Sequence, residues 1–148
     1  MLNRLLSKLI TYAESLQNKN KAVQIYDVAL AHYSSKKYRN AFPLMRESAQ
    51  LGDKNAMAIL GSMYLLGQGT YENGEESIKW LHKAVDAGQT DAIGVLGMAY
   101  ATGVAKVKKD KKLALEFLNK AAELGDQKSI KMLSMMQRKE GMFQQDNN

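Results

Sequence analysis

Five lysines crowd into seven positions at Lys106-Val107-Lys108-Lys109-Asp110-Lys111-Lys112. Such a run can attract an anion: an acidic protein surface, a phosphate backbone or an anionic lipid face. No aromatic residue is interleaved for base stacking and no arginine is present for bidentate base reading, which argues against nucleic acid. The plain reading is a solvated loop. If the loop has a partner, Lys106, Lys108, Lys109, Lys111 and Lys112 are the residues that meet it. Other reactive groups are sparse. The two histidines, His32 and His82, are 50 residues apart, and there is no cysteine to serve as thiolate, disulfide or metal ligand. His32 reads as a packing or groove residue, and His82 as an exposed one. Glu75-Glu76 sits where a helix begins, so its negative charge favours the helix dipole. Gly67-x-Gly69 lacks the preceding strand and the third glycine of a dinucleotide fingerprint. No nucleophile–base pair, metal-ligand spacing or nucleotide loop is present, so the expectation is no enzyme, no cofactor and no metal.

The elements that carry these residues read as helices. The chain has 148 residues, room for one domain with a sizeable core, and a net charge of +6 that serves solubility before anything else. No apolar run is long enough to span a bilayer. Lys8 interrupts what a signal peptide would keep apolar, and the chain reads as cytoplasmic. Leu2, Leu5, Leu6, Leu9, Ala13 and Leu16, spaced three and four apart, predict a helix over 1–18 with one apolar stripe. That stripe is expected to pack on the next helices, with a dimerisation surface and a membrane-surface helix as alternatives. A membrane helix would want more cations on its polar face. The polar Asn18-Lys19-Asn20-Lys21 reads as a break before a helix over 22–34. A further helix over 38–51 contains Pro43, which predicts a bend or a later start.

Beyond Gly52 the sequence repeats itself. Ala56/Ala92, Leu60/Leu96, Gly61/Gly97, Tyr64/Tyr100 and Gly67/Gly103 are each 36 apart, and Trp80/Phe117, Lys83/Lys120, Ala84/Ala121 and Gly88/Gly125 are each 37 apart. Asn73 with Glu76 reads as a capping box opening the second helix of the first copy, and Asp110 as the cap in the second copy. The second loop is one residue longer, and two places depart from the pattern. Ser77 stands where an alanine is expected on the second helix. Ala105 replaces the second loop glycine, which predicts a less tightly turned loop. Residues 126–140 begin a third copy without completing it, as a capping helix does, and 141–148 read as a disordered tail.

The phrase A-x-x-x-L-G-x-x-Y-x-x-G-x-G, followed by a cap, an aromatic, Lys-Ala and a closing Gly, resembles the Sel-like repeat, a longer-looped relative of the tetratricopeptide repeat. Residues 53–88 and 89–125 match it. Residues 22–52 resemble the shorter tetratricopeptide form through Ala29, His32, Tyr38, Ala41 and Gly52. The resemblance implies an all-α fold, a right-handed α-α superhelix forming a short solenoid within one domain over 1–140. It makes the recurring residues packing residues. It also implies that a partner protein lies along the concave face made by the first helix of each pair. The residues there that do not belong to the packing motif are Tyr26, Leu30, Tyr33, Asn55, Ser62, Leu65, Leu66, Asp91, Met98 and Thr102. Bacterial proteins of similar build serve as immunity proteins that neutralise a cognate toxin, or as adaptors. A protein partner is therefore expected, with binding of nucleic acid or an anionic surface through the lysine loop as the alternative.

Overall fold

Glycine and alanine at fixed spacings let helices approach closely, and the architecture follows from that. In a computed structural model, which describes residues 2–145, the chain runs through α1 (Leu2–Ser34), α2 (Tyr38–Gln50), α3 (Lys54–Leu66), α4 (Gly74–Asp86), α5 (Asp91–Thr102), a 3₁₀ turn (Val104–Lys106), α6 (Lys111–Glu123) and α7 (Gln127–Gln145). Among the described residues there is no strand. Successive helices pair as antiparallel hairpins and stack on the pair before, the solenoid that the repeats imply. The first pair is α1–α2, joined through Ala22, Ala29, Ala41, Met45, Ser48 and Ala49, all buried. In the second pair a Cβ on Gly61 would stand 2.7 Å from Leu81 of α4. In the third a Cβ on Gly97 would stand 2.7 Å from Leu118 of α6. Neither glycine has room for a side chain, so each sets how closely its pair packs.

The long loops are closed alike in both copies. The Asn73 amide donates to the Tyr64 carbonyl at 2.8 Å, and the Asp110 amide donates to the Tyr100 carbonyl at 3.1 Å. Each side chain then caps the next helix, Asn73 Oδ1 accepting from Glu76 N and Asp110 Oδ1 from Leu113 N, both at 3.0 Å. Only half of the expected capping box forms. The Glu76 carboxylate turns outward and accepts from Trp80 Nε1 and Lys79 Nζ, each at 3.2 Å. The second loop is not loosened by Ala105. That alanine takes φ 53°, the left-handed conformation that Gly69 takes at 74°, and Lys106 follows at 63°. Both loops lie against the start of the preceding pair's second helix. A Cβ on Gly69 would overlap the Tyr38 carbonyl of α2, and one on Gly74 of α4 would stand 2.5 Å from the Ala105 carbonyl. The backbone contact holds Ala105 in a conformation its side chain resists.

Four expectations about the helices are corrected. Asn18-Lys19-Asn20-Lys21 does not break the chain, since α1 is continuous for 33 residues. Asparagine and lysine cost a helix only tenths of a kcal/mol each, and neither glycine nor proline is there to stop it. The N-terminal stripe does not pack on the repeats: every residue from 2 to 20 is exposed. Contact with α2 begins at Lys21 and Ala22, where Lys21 pairs with Glu47 at 3.2 Å and Ser48 Oγ donates to the Ala22 carbonyl at 2.7 Å. Finally, α7 continues to Gln145, past the expected boundary at 140, and the remainder of the expected tail, 146–148, lies outside the described residues. Pro43 sits inside α2, which starts at Tyr38 without the later start that the proline suggested.

Candidate protein-binding groove

The first helices of the three pairs lie side by side and leave a groove of about 230 Å³ between them. Tyr26 and Tyr33 come from α1, Asn55, Ala58, Ile59 and Ser62 from α3, and Asp91, Ala92 and Val95 from α5. Gln89 enters from the turn before α5. Spacings of three and four put each helix's contributors on one face. Five of the ten concave-face residues expected from sequence therefore converge: Tyr26, Tyr33, Asn55, Ser62 and Asp91. Leu30 lies half-buried on the same face of α1, between the two tyrosines, and does not line the groove. Leu66, Met98 and Thr102 continue the α3 and α5 faces beyond its end. Leu66 is 56% exposed, Met98 is half-buried, and Thr102 Oγ1 donates to the Met98 carbonyl at 2.8 Å. Leu65 is corrected. It is 6% exposed, because it stands one turn beyond Gly61 on the side that meets α4 and so belongs to the packing.

The groove mixes polar side chains with the apolar Ala58, Ile59, Ala92 and Val95, and its two tyrosines both come from α1. Gln89 Nε2 donates to Asn55 Oδ1 at 2.6 Å, a bond between neighbouring repeats, and Gln89 Oε1 accepts from the Asp91 amide at 3.3 Å. Tyr33 OH donates to Gln68 Oε1 at 3.1 Å, and its ring meets Tyr38 edge-on with centroids 5.3 Å apart. Burial first, and the nearby Asp53 and Asp27 after it, raise the Tyr26 phenol above its ordinary pKa. Burial, with Tyr38 beside it, does the same for Tyr33. Both hydroxyls thus stay neutral at physiological pH, suited to hydrogen bonding and not to proton transfer. Among the described residues no group of three His, Cys, Asp or Glu side chains could hold a metal ion, and no helix is long and apolar enough to cross a membrane.

The sequence reading missed the apolar Ala58, Ile59 and Val95 and one polar groove residue, Gln89, although the sequence carries the signal of the last. Leu51-Gly52-Asp53 and Leu124-Gly125-Asp126 end in an aspartate that caps the next helix. Asp53 Oδ1 accepts from Ala56 N at 2.8 Å, and Asp126 Oδ2 from Ser129 N at 3.0 Å. At the same place in Ala87-Gly88-Gln89 the aspartate is gone, and α5 starts without a side-chain cap. The backbone is the same at all three: the amides of Asp53, Gln89 and Asp126 donate to the carbonyls of Ser48, Ala84 and Ala121. Gln89 has exchanged a cap for a contact in the groove.

The remaining candidates lie elsewhere. Lys106, Lys108, Lys109, Lys111 and Lys112 are all exposed, and none lines the groove. The stem of Lys109 covers Gly103, where a Cβ would stand 2.8 Å from its Cγ. His82 is half-buried and not exposed as expected, because its ring meets Phe117 of the next pair edge-on at 5.7 Å. His32 is half-buried outside the groove lining.

A family model, the Sel1 repeat, matches residues 54–89 and 91–126. Comparison with curated proteins gives no match. Among solved structures, a Sel1 repeat protein from Oxalobacter formigenes is similar at 27% identity with TM-score 0.61, over 70% of this chain and 44% of that one. A protective antigen of uropathogenic Escherichia coli with an SLR fold is similar at 29% identity with TM-score 0.69, over 78% and 25% of the two chains. The chain thus spans less than half the length of either. The cysteine rich protein B of Helicobacter pylori shares the fold at 21% identity and TM-score 0.59, over 89% of this chain and 97% of that one. Sel1 repeats form a non-catalytic scaffold family whose members generally mediate protein–protein interaction. One match falls on α3–α4 and the next on α5–α6, so the chain carries two Sel1 repeats and is consistent with a Sel-like repeat protein.

Proposed function

We propose that this chain binds a partner protein by taking a segment of it into the groove between α1, α3 and α5. The observation that carries the reading is the convergence there of side chains the repeat pattern does not require: Tyr26, Tyr33, Asn55, Ser62, Gln89 and Asp91. Aromatic rings beside amide and carboxylate groups suit a peptide, whose backbone supplies donors and acceptors and whose side chains meet the tyrosines. A groove of about 230 Å³ takes a few residues, so the partner is held by one exposed segment and not engulfed. Occluding a toxin's surface, as an immunity protein does, and bridging two proteins, as an adaptor does, are two uses of such a groove. A cysteine-free chain fits the reducing cytoplasm, where we place both.

The test is affinity capture from the host with the wild-type chain and with an Asn55→Ala, Asp91→Arg variant, alongside co-expression with neighbouring reading frames. Proposed binding gives a protein retained by the first and lost by the second. Immunity further requires that co-expression relieve a neighbour's toxicity. A partner retained equally by both chains overturns the groove reading.

A further inference from the structure

Residues 2–20 of α1 project from the solenoid as a bare helix, about 28 Å long at 1.5 Å per residue. One face of it is apolar and meets no other element of the described chain: Leu2 is 71% exposed, Leu5 58%, Leu9 57%, Tyr12 64% and Leu16 43%. Leu2, Leu9 and Leu16 recur every seven residues, and Val23 follows at the next interval. Leu5 and Tyr12 fall three residues after the first two of these leucines. Together they make one continuous apolar seam along the helix, the kind of face that packs lengthwise on another helix.

We infer that this extension pairs with the same extension of a second copy, antiparallel and centred on Leu9. The proposal does not depend on the groove. Three features select a second copy. The first is area: five leucines, counting Leu6, bury about 60–100 Å² each and the tyrosine somewhat more, so two copies bury about 1,000 Å², the size of a small specific interface. The second is charge. Residues 2–20 carry Arg4, Lys8 and Lys19 against Glu14 alone, too few cations for an anionic membrane. Parallel pairing would set Arg4 and Lys8 level with their own copies, whereas antiparallel pairing about Leu9 sets Arg4 level with Glu14. The third is space. In the antiparallel register Leu2 stands opposite Leu16 and Leu6 opposite Tyr12. The paired stretches, residues 2–16 of each copy, stop short of Ala22, where each solenoid begins, and the two solenoids lie at opposite ends. Parallel pairing would bring both to the same end.

The test is sedimentation of the full chain between about 1 and 100 μM, over which mass action populates a weak dimer, for wild type and Leu9→Lys. Leu9 touches nothing in the solenoid, so the variant keeps the wild-type circular dichroism and melting temperature. The expected result is a concentration-dependent wild-type dimer and a Leu9→Lys monomer. Because the chain has no cysteine of its own, single-cysteine variants read the register. Leu9→Cys cross-links on mild oxidation and Leu2→Cys does not, since only Leu9 faces its own copy. A wild-type monomer throughout, or a dimer untouched by Leu9→Lys, overturns the proposal. So does a monomer that binds phosphatidylglycerol vesicles through this face. Cross-linking of Leu2→Cys as strong as that of Leu9→Cys overturns the antiparallel register.

Discussion

Two serines on second helices are fully buried, and substituting them should move stability in opposite directions. Ser77 of α4 stands where α2 and α6 carry Ala41 and Ala114, and its hydroxyl has no hydrogen-bond partner among the described residues. Ser48 of α2 is equally buried, but its hydroxyl donates to the Ala22 carbonyl at 2.7 Å. An unmatched buried hydroxyl costs about 1–3 kcal/mol, and alanine is the better helix former by about 0.5 kcal/mol. Ser77→Ala removes the unmatched group, leaves no room-sized void and should stabilise the chain by about 1–2 kcal/mol. Ser48→Ala gives up a bond worth about 1 kcal/mol, partly offset by propensity, and should destabilise by about 0.5–1 kcal/mol. At roughly 3–4 °C per kcal/mol for a chain of this size, the two variants should melt several degrees apart on either side of wild type. Urea titration reads both, the midpoint shifting at constant slope. A lower midpoint for Ser77→Ala, or shifts of the same sign, would refute the assignment of these hydroxyls.

Three further outcomes follow from the loops and caps. Ala105→Gly relieves a left-handed alanine at φ 53° and should stabilise by about 0.5 kcal/mol in the same titration, the glycine's freedom in the unfolded chain offsetting part of the gain. Gln89→Asp restores the missing cap of α5, and in an Asn55→Ala background, where the groove bond is already absent, it should add about 1 kcal/mol. Asp126→Ala should cost about 1 kcal/mol at neutral pH by uncapping α7. The Ser129 hydroxyl bond, ahead of the amides of Ser129 and Lys128 and the Lys128 charge, holds the Asp126 carboxyl below its ordinary pKa against a smaller opposing effect of burial. Its stabilisation is therefore complete above the unfolded-state pKa and is lost as pH falls through the lower folded value, so the gap between wild type and Asp126→Ala should close in acid.

What could be read from the chain was set by repetition. Gly61 and Gly97, or Tyr64 and Tyr100, recur because the same packing problem is solved twice, and two solutions at one spacing identify it. Departures were legible only where the repeat supplied a reference. Ser77 stands out against Ala41 and Ala114, and Gln89 stands out against Asp53 and Asp126. Leu65 was misplaced because an apolar residue on a first helix serves core and groove equally well, and its direction depends on where α4 crosses. The N-terminal stripe was assigned a partner within the chain because periodicity shows that a face is apolar and not what covers it. Ala105 was expected to loosen its loop because propensity is local, whereas the loop is held by backbone contact with Gly74.

The central claim is that a partner is held in the groove and not on the lysine loop. Calorimetric titration of the captured partner against wild type, the Asn55→Ala, Asp91→Arg variant and a Lys108→Glu, Lys109→Glu variant tests it directly. Loss of groove contacts should weaken binding by about 30-fold or more, while the loop variant should stay within about threefold of wild type. Binding that survives the groove substitutions and collapses with the loop charges would contradict it.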